Sequence, residues 1–233
     1  MRRALLLVSL LVAASVARVA HARAPDTFEE DYHAPILIDS PQWVGIELKI
    51  GPYLYGDTGP RKSVFGNDRG WMLNVELDLT VYHVPFVGPL SIGAGWGWAN
   101  YDGKALTQSA DGTARSGEKT EFVLYPLSAL AVLRIDTLAR MTVVPLTFAG
   151  KLGYEWVRWK GTTGDRTDGS GFNKGLRWGA QAAFELDFFD RDSARRLDED
   201  WGVNHTYLLF EYYESKTKGT GDRTFQFGLG VQF

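Results

Sequence analysis

Residues Trp71–Tyr82 read WMLNVELDLTVY. Trp71, Leu73, Val75, Leu77, Leu79 and Val81 form one series; Met72, Asn74, Glu76, Asp78, Thr80 and Tyr82 form the other. Successive side chains of a strand point to opposite faces, so this segment has one apolar face and one that carries carboxylates. The same period recurs on both sides of it. Val44, Ile46, Leu48, Ile50 and Leu54 oppose Trp43, Gly45, Glu47, Lys49, Gly51 and Tyr53. Leu90, Ile92, Ala94, Trp96 and Trp98 oppose Ser91, Gly93, Gly95, Gly97 and Ala99. Pro145–Trp159 sets Leu146, Phe148, Leu152, Tyr154 and Trp156 against Thr147, Lys151, Gly153 and Glu155. Leu176–Phe188 sets Trp178, Phe184 and Leu186 against Arg177, Gln181, Glu185 and Asp187, and His205–Glu214 sets Leu208, Phe210 and Tyr212 against Glu211. The last segment, TFQFGLGVQF (Thr224–Phe233), opposes Phe225, Phe227, Leu229, Val231 and Phe233 to Gln226 and Gln232. Thr120–Arg134 is apolar on both faces and holds Pro126 mid-run, where a proline removes a ladder hydrogen bond, so its facing stays open.

The faces that carry charge decide the reading. Glu47, Lys49, Glu76, Asp78, Lys151, Glu155, Arg177, Glu185, Asp187 and Glu211 all fall opposite the apolar series. A soluble barrel buries the apolar face; a membrane barrel turns it to lipid and puts polar groups in the lumen. Alternation alone fits both. Trp43, Tyr53, Tyr55, Trp71, Tyr82, Trp96, Trp98, Tyr101, Trp156 and Trp159 stand near segment ends, where interfacial girdles belong. The N-terminus reads as an export signal: Met1-Arg2-Arg3 precedes an uncharged apolar run from Ala4 to Val16, and cleavage after Ala22 or Ala24 fits the small-x-small pattern. The sequence therefore predicts an all-β protein. Residues 1–24 are a signal peptide, 25–42 an extended periplasmic leader, and 43–233 a closed antiparallel transmembrane β-barrel of about eight strands. The expected location is the outer membrane of a Gram-negative bacterium, with outer-membrane lipid as surroundings and a monomer as the expected state.

Placing Phe233 at the periplasmic rim turns 57–70, 102–118, 161–171 and 215–222 outward as loops. TGDRT occurs twice, at Thr163–Thr167 and Thr220–Thr224, and reads as turn chemistry. Among the inner connections, 189–203 contains DRDSARRLDEDWG, which reads as a short periplasmic helix between strands six and seven. Asp192 or Ser193 would cap it, Gly202 would follow it, and Leu197 and Trp201 could close the mouth.

Candidate chemistry is sparse. The chain has no cysteine, which excludes disulfides and thiolate metal sites, and its net charge of -3 gives no basic footprint for nucleic acid. His33, His83 and His205 form no nucleophile–base spacing with serine and no paired metal-ligand spacing, so no enzyme, metal or cofactor is expected. GAGWGW (Gly93–Trp98) opens no helix and is not a phosphate loop; its glycines leave lumen space opposite a bulky residue such as Arg177 or Tyr53. An eight-stranded barrel is just filled by its side chains, so the charged series is expected to form an ion-paired plug. A narrow porin-like channel for ions or small polar solutes is the alternative, and a soluble periplasmic barrel for an apolar ligand is a third reading.

The stretch ARRLDEDWGVNHTYLLFEYYES (Ala194–Ser215) and the terminal FQFGLGVQF resemble a family of small outer-membrane β-barrels typified in myxobacteria and other deltaproteobacteria, of uncharacterised function. The resemblance runs over roughly residues 40 to 233. It implies an eight-stranded barrel and assembly by the barrel-insertion machinery, with the terminal strand, Phe225, Phe227 and Phe233, as the assembly signal. It implies no catalytic or ligand residue.

Overall fold

In a computed structural model the described residues are 43–55, 70–109, 112–142, 144–217, 220 and 222–233. The expected signal peptide and leader, and the first expected outer loop apart from Gly70, lie outside them. Eight strands run in chain order: β1 (Val44–Tyr55), β2 (Gly70–Val84), β3 (Gly88–Ser109), β4 (Gly112–Ile135), β5 (Leu146–Thr163), β6 (Arg166–Glu185), β7 (His205–Ser215) and β8 (Asp222–Gln232). Each pairs antiparallel with its neighbour, and β1 pairs with β8, so the sheet closes into a barrel without edges. The closure is tied where β1 begins and β8 ends: the Trp43 amide donates to the Phe233 carbonyl at 2.7 Å and the Phe233 amide to the Val44 carbonyl at 2.9 Å. A terminus fixed by backbone bonds on a neighbouring strand does not fray.

The alternation sorts the side chains. Leu79, Ile92, Leu127, Leu152, Leu208 and Phe227 point outward and are exposed, whereas Glu47, Lys49, Glu76, Lys151, Arg177 and Glu211 are buried inside. That is the polarity of a soluble barrel inverted, with an apolar band too extensive for a water-facing surface. A closed barrel satisfies every backbone group internally, which is what lets it stand in hydrocarbon. The fold is a transmembrane β-barrel of the outer-membrane type.

Several local expectations are corrected. Residues 102–118 and 161–171 are strand for most of their length, because β3–β4 and β5–β6 are long hairpins whose ladders continue past the apolar band. In the second hairpin only Gly164 and Asp165 form the turn, with Gly164 at φ 55°. The facing of β4 resolves with Tyr125 and Leu127 outward and Leu124, Pro126, Ser128 and Leu130 inward. Around Pro126 the β3–β4 pairing is interrupted between Ala99↔Leu124 and Trp96↔Leu127 without a change of register, as fits a residue without an N–H. A bulge between Thr80 and Tyr82 leaves Tyr82 exposed at 58% rather than in the lumen.

The end at which β1 begins and β8 finishes carries two short helices. Helix α1 (Thr137–Met141) lies between β4 and β5 and was not legible in the sequence. Helix α2 (Arg191–Trp201) joins a 3-10 turn, Leu186–Phe188, to β7. Its cap is Asp190, not Asp192 or Ser193: the Asp190 carboxylate accepts from the Ser193 amide at 3.0 Å, and Gly202 ends the helix in the left-handed conformation. The Ser193 amide and hydroxyl hold the exposed Asp190 carboxyl below the usual carboxylate range. Trp201 is 56% exposed and does not close the mouth.

Candidate functional site

The interior of the barrel is the only place where the described residues concentrate charge away from water, and it is built around two lysines. Lys49 comes from β1 and Lys151 from β5. Lys49 Nζ donates to Glu47 Oε2 at 2.8 Å, to Glu76 Oε2 at 2.9 Å and to Glu211 Oε2. Lys151 Nζ donates to Glu47 Oε2 at 2.7 Å, to Glu211 Oε2 at 3.0 Å and to Glu76 Oε1. An ammonium has three protons to give, so each lysine uses its full capacity on the same three carboxylates. Gln181 Nε2 adds bonds to Glu47 at 2.8 Å and Glu211 at 3.2 Å. The three glutamate oxygens converge closely enough to suit a cation. That space is occupied by the two ammonium groups, so the cluster is an ion-pair cage and not a metal site.

Two arginines complete it. Arg177 Nη2 donates to Glu211 Oε1 at 3.3 Å, while Nη1 donates to Ser128 Oγ at 3.1 Å and stands 3.6 Å from Glu155 Oε2. Ser215 Oγ donates to the other Glu155 oxygen at 2.6 Å, and the guanidinium lies 4.0 Å from the Tyr213 ring centre. Arg134 Nη2 reaches Glu47 Oε1 at 3.4 Å. Glu47, Glu76, Glu155 and Glu211 thus meet Lys49, Lys151, Arg134 and Arg177, and the formal charges balance. Buried charges are tolerated on that condition. Asp78 stands apart: it is buried, and neither carboxylate oxygen has a hydrogen-bond partner among the described residues. Gly95 on β3 makes room for Ser128, whose Oγ would lie 2.5 Å from an added Cβ, whereas Arg177 Nη1 at 3.8 Å would be in ordinary contact, so the glycine is not required by Arg177. Gly97 performs the same service for Met72 and Pro126, and Tyr53 is not among the nearest neighbours of either glycine.

Beyond the cage, toward the end remote from the start of β1, the interior changes character. Tyr53, Met72, Ala99, Tyr101, Leu124, Val157 and Tyr213 form a buried cluster, with Phe122 and Trp159 packed against it. The tyrosine hydroxyls find acceptors: Tyr101 donates to the Tyr53 carbonyl at 2.6 Å, Tyr53 to the Thr220 carbonyl at 3.1 Å, and Tyr213 to Met72 Sδ at 3.2 Å. The lumen therefore carries an apolar cap in series with a charged cage, which the expectation of a purely polar plug missed. Met72 and Val157 had the inward parity, the facing of Leu124 was open with the rest of β4, and only the register tells that they meet.

Of the residues expected in the lumen network, Glu185 and Asp187 are elsewhere. They sit at the rim where β1 begins and β8 ends, at the point where β6 gives way to the 3-10 turn. There His205 Nδ1 stands 2.9 Å from Glu185 and 3.1 Å from Asp187, and Asp187 also accepts from the Thr206 amide and hydroxyl. Missed were Arg134, Gln181, Ser128 and Ser215, which lie on the inward faces of β4, β6 and β7. Their polarity was the available signal, and for Arg134 and Ser128 the ambiguous facing of β4 hid it. A cavity of about 180 Å³ opens at the same rim, lined by Arg134, Asp136, Arg140, Thr147, Glu185 and His205 among others. The hydrogen bonds of His83 and His205 go to Arg140 and to the two rim carboxylates, and none pairs either imidazole with a serine.

No family model matches the chain, and no curated protein matches it. Solved structures with a similar fold include Ail, the attachment invasion locus protein of Yersinia pestis, in complex with sucrose octasulfate: 13% identity over 82% of this chain and 97% of that one, TM-score 0.46. The N-terminal β-barrel domain of Pseudomonas aeruginosa OprF gives 10% identity over 83% and 100%, TM-score 0.44. Neisserial surface protein A gives 12% over 82% and 97%, TM-score 0.40. At these identities the likeness concerns the barrel alone and carries no argument about activity.

Proposed function

We propose that the chain is a non-conducting outer-membrane barrel of a Gram-negative bacterium, with a structural or contact-making role and no catalytic one. One observation carries this: cage and apolar cap lie in series across the lumen. A hydrated ion would have to displace fully used ammonium groups and then cross a dry layer of tyrosine, methionine and leucine. With the start of β1, the end of β8 and both helices on the periplasmic side, the β3–β4 and β5–β6 hairpins stand outside the cell as the contact elements. Lipid surrounds a single copy, and the terminal strand is the segment the barrel-insertion machinery engages. The resemblance to the deltaproteobacterial family agrees with this reading and adds no residue-level role.

Planar-bilayer recording of the refolded protein tests it. No discrete conductance steps are expected. Steps in the wild type that change when Glu76 and Asp78 are both replaced by alanine would overturn the closed lumen and favour a narrow pore.

A further inference from the structure

The outer wall is not uniform around its circumference. On β5 the outward series from Leu146 to Trp156, tilted as barrel strands are, covers about the 25 Å of an outer-membrane apolar band. The next outward residues are Arg158 and Lys160, both exposed. On β6 the outward series Trp178 and Leu176 ends at exposed Lys174, and on β7 it runs through Tyr212 and Glu214 to exposed Lys216. The register brings the four cations together. Trp156 pairs with Lys174, so Lys174 is the diagonal neighbour of Arg158, which itself pairs with Phe172. The Lys216 amide donates to the Leu176 carbonyl at 2.7 Å, which sets Lys216 diagonal to Lys174. Diagonal neighbours on one face of a sheet lie about 7–8 Å apart, within reach of long side chains.

None of Arg158, Lys160, Lys174 and Lys216 forms an ion pair with a described residue. On β3–β4 Lys119 instead bridges Asp102 at 3.2 Å and Glu121 at 2.9 Å, and only Lys104 there lacks an ion-pair partner among the described residues. Glu214 stands two residues from Lys216 on the same face, has Arg223 opposite it on β8, and forms an ion pair with neither. The β5–β7 wall thus presents unneutralised cations directly above an aromatic and aliphatic surface that includes Trp156, Phe172, Leu176 and Trp178.

We propose that this wall binds the phosphate groups of a lipid in the outer leaflet of the bilayer. The proposal rests on the transmembrane reading and goes beyond it. Acyl chains would lie on Leu152, Leu176 and Trp156, rings would stand at headgroup level, and the basic stems would extend along them with their charges in the headgroup layer. Arg158 offers a two-pronged grip on phosphate, and the lysines add point charge. Arg158 and Lys174 stand at the same boundary as the girdle aromatics, so the cations meet phosphate at the depth where a headgroup carries it.

The test refolds the exported chain into phosphatidylcholine vesicles containing a minor fraction of bis-phosphorylated glucosamine-disaccharide lipid. A parallel set contains the same lipid after enzymatic dephosphorylation. After mild detergent extraction, native mass spectrometry counts the lipid retained per barrel. Wild type is expected to retain the phosphorylated lipid selectively, and each of R158Q, K160Q, K174Q and K216Q to weaken retention roughly fivefold. K104Q with K119Q, on the other wall, should leave it unchanged. Equal retention of the two lipids, or full retention by the quadruple variant, overturns the proposal. If the quadruple variant does not fold, the wild-type comparison of the two lipids decides alone. Failure of the wild type to enter vesicles would defeat the transmembrane reading as well, whereas entry without phosphate preference defeats only this inference.

Discussion

Lys151 is the residue on which the interior depends most. It touches Glu47, Glu76 and Glu211, each from a different strand, and all three lie at 2% exposure or below. Replacing it with methionine preserves length and removes the charge, leaving three carboxylates to share Lys49 and the more distant arginines. Breaking one side of a buried ion pair costs about 3–5 kcal/mol, and K151M should lose stability on that scale in urea unfolding from vesicles. Asp78 predicts the opposite sign. It is buried without a hydrogen-bond partner among the described residues, so D78N removes a desolvated charge without breaking a pair. Its stability should stay within about 1 kcal/mol of wild type or rise. A large loss in D78N, or none in K151M, would show the cage has been misread. Sequence parity put both residues on the inward face; it could not say that Lys151 meets three carboxylates and Asp78 no donor, because that depends on registers between strands distant in the chain.

Among the elements, α2 and β8 carry separable expectations. Asp190 is fully exposed and its carboxyl is held below the ordinary range by the Ser193 amide. A lowered folded value means the cap contributes above the ordinary Asp value and is lost as the pH falls through the folded one. The Ser193 amide resonance, followed by NMR in micelles, should therefore move with a midpoint below that of an unpaired aspartate, and D190N should abolish the step while keeping the cap. A midpoint at or above the ordinary value would refute the cap. The 3.6-residue signal of this helix was readable in DRDSARRLDEDWG, but its start was misplaced, because Asp190, Asp192 and Ser193 are all acceptable caps and only backbone geometry chooses. At β8, the Phe233 carbonyl takes hydrogen bonds from Trp43 and Val44 at 2.7 and 3.2 Å. If the terminal side chain serves assembly, F233A, which keeps the backbone bonds to Trp43 and Val44, should lower the yield of inserted barrel in cells while the protein refolded in vitro melts close to wild type. Unchanged cellular yield would count against that role.

For the whole molecule, strand count, closure and the inverted polarity follow from alternation, because a two-residue period is a local property. The apolar cap did not follow. Tyr53, Met72, Val157 and Tyr213 read singly as exceptions on a polar face, Leu124 lay in a segment of open facing, and the five form a layer only when five strands are brought into register. Likewise the long hairpins looked like loops, since Gly, Asp, Thr and Lys mark turns yet are tolerated in ladders that rise clear of the lipid. The unequal wall of β5–β7 was hidden for the same reason: Arg158, Lys174 and Lys216 are far apart in the chain and adjacent only in the sheet.

The cage also constrains the folding pathway. Glu47, Glu76, Lys151 and Glu211 come from β1, β2, β5 and β7, so no single hairpin can neutralise the set. A partly formed sheet entering the membrane would carry unpaired charges on its inner face, in addition to two open edges. Contacts of such long sequence separation form late and together. Zipping of neighbouring strands can therefore proceed in water or at the interface, but the last step, ring closure, must coincide with dehydration of the interior. The barrel should accordingly insert in one cooperative transition, with no stable membrane-embedded intermediate of fewer strands.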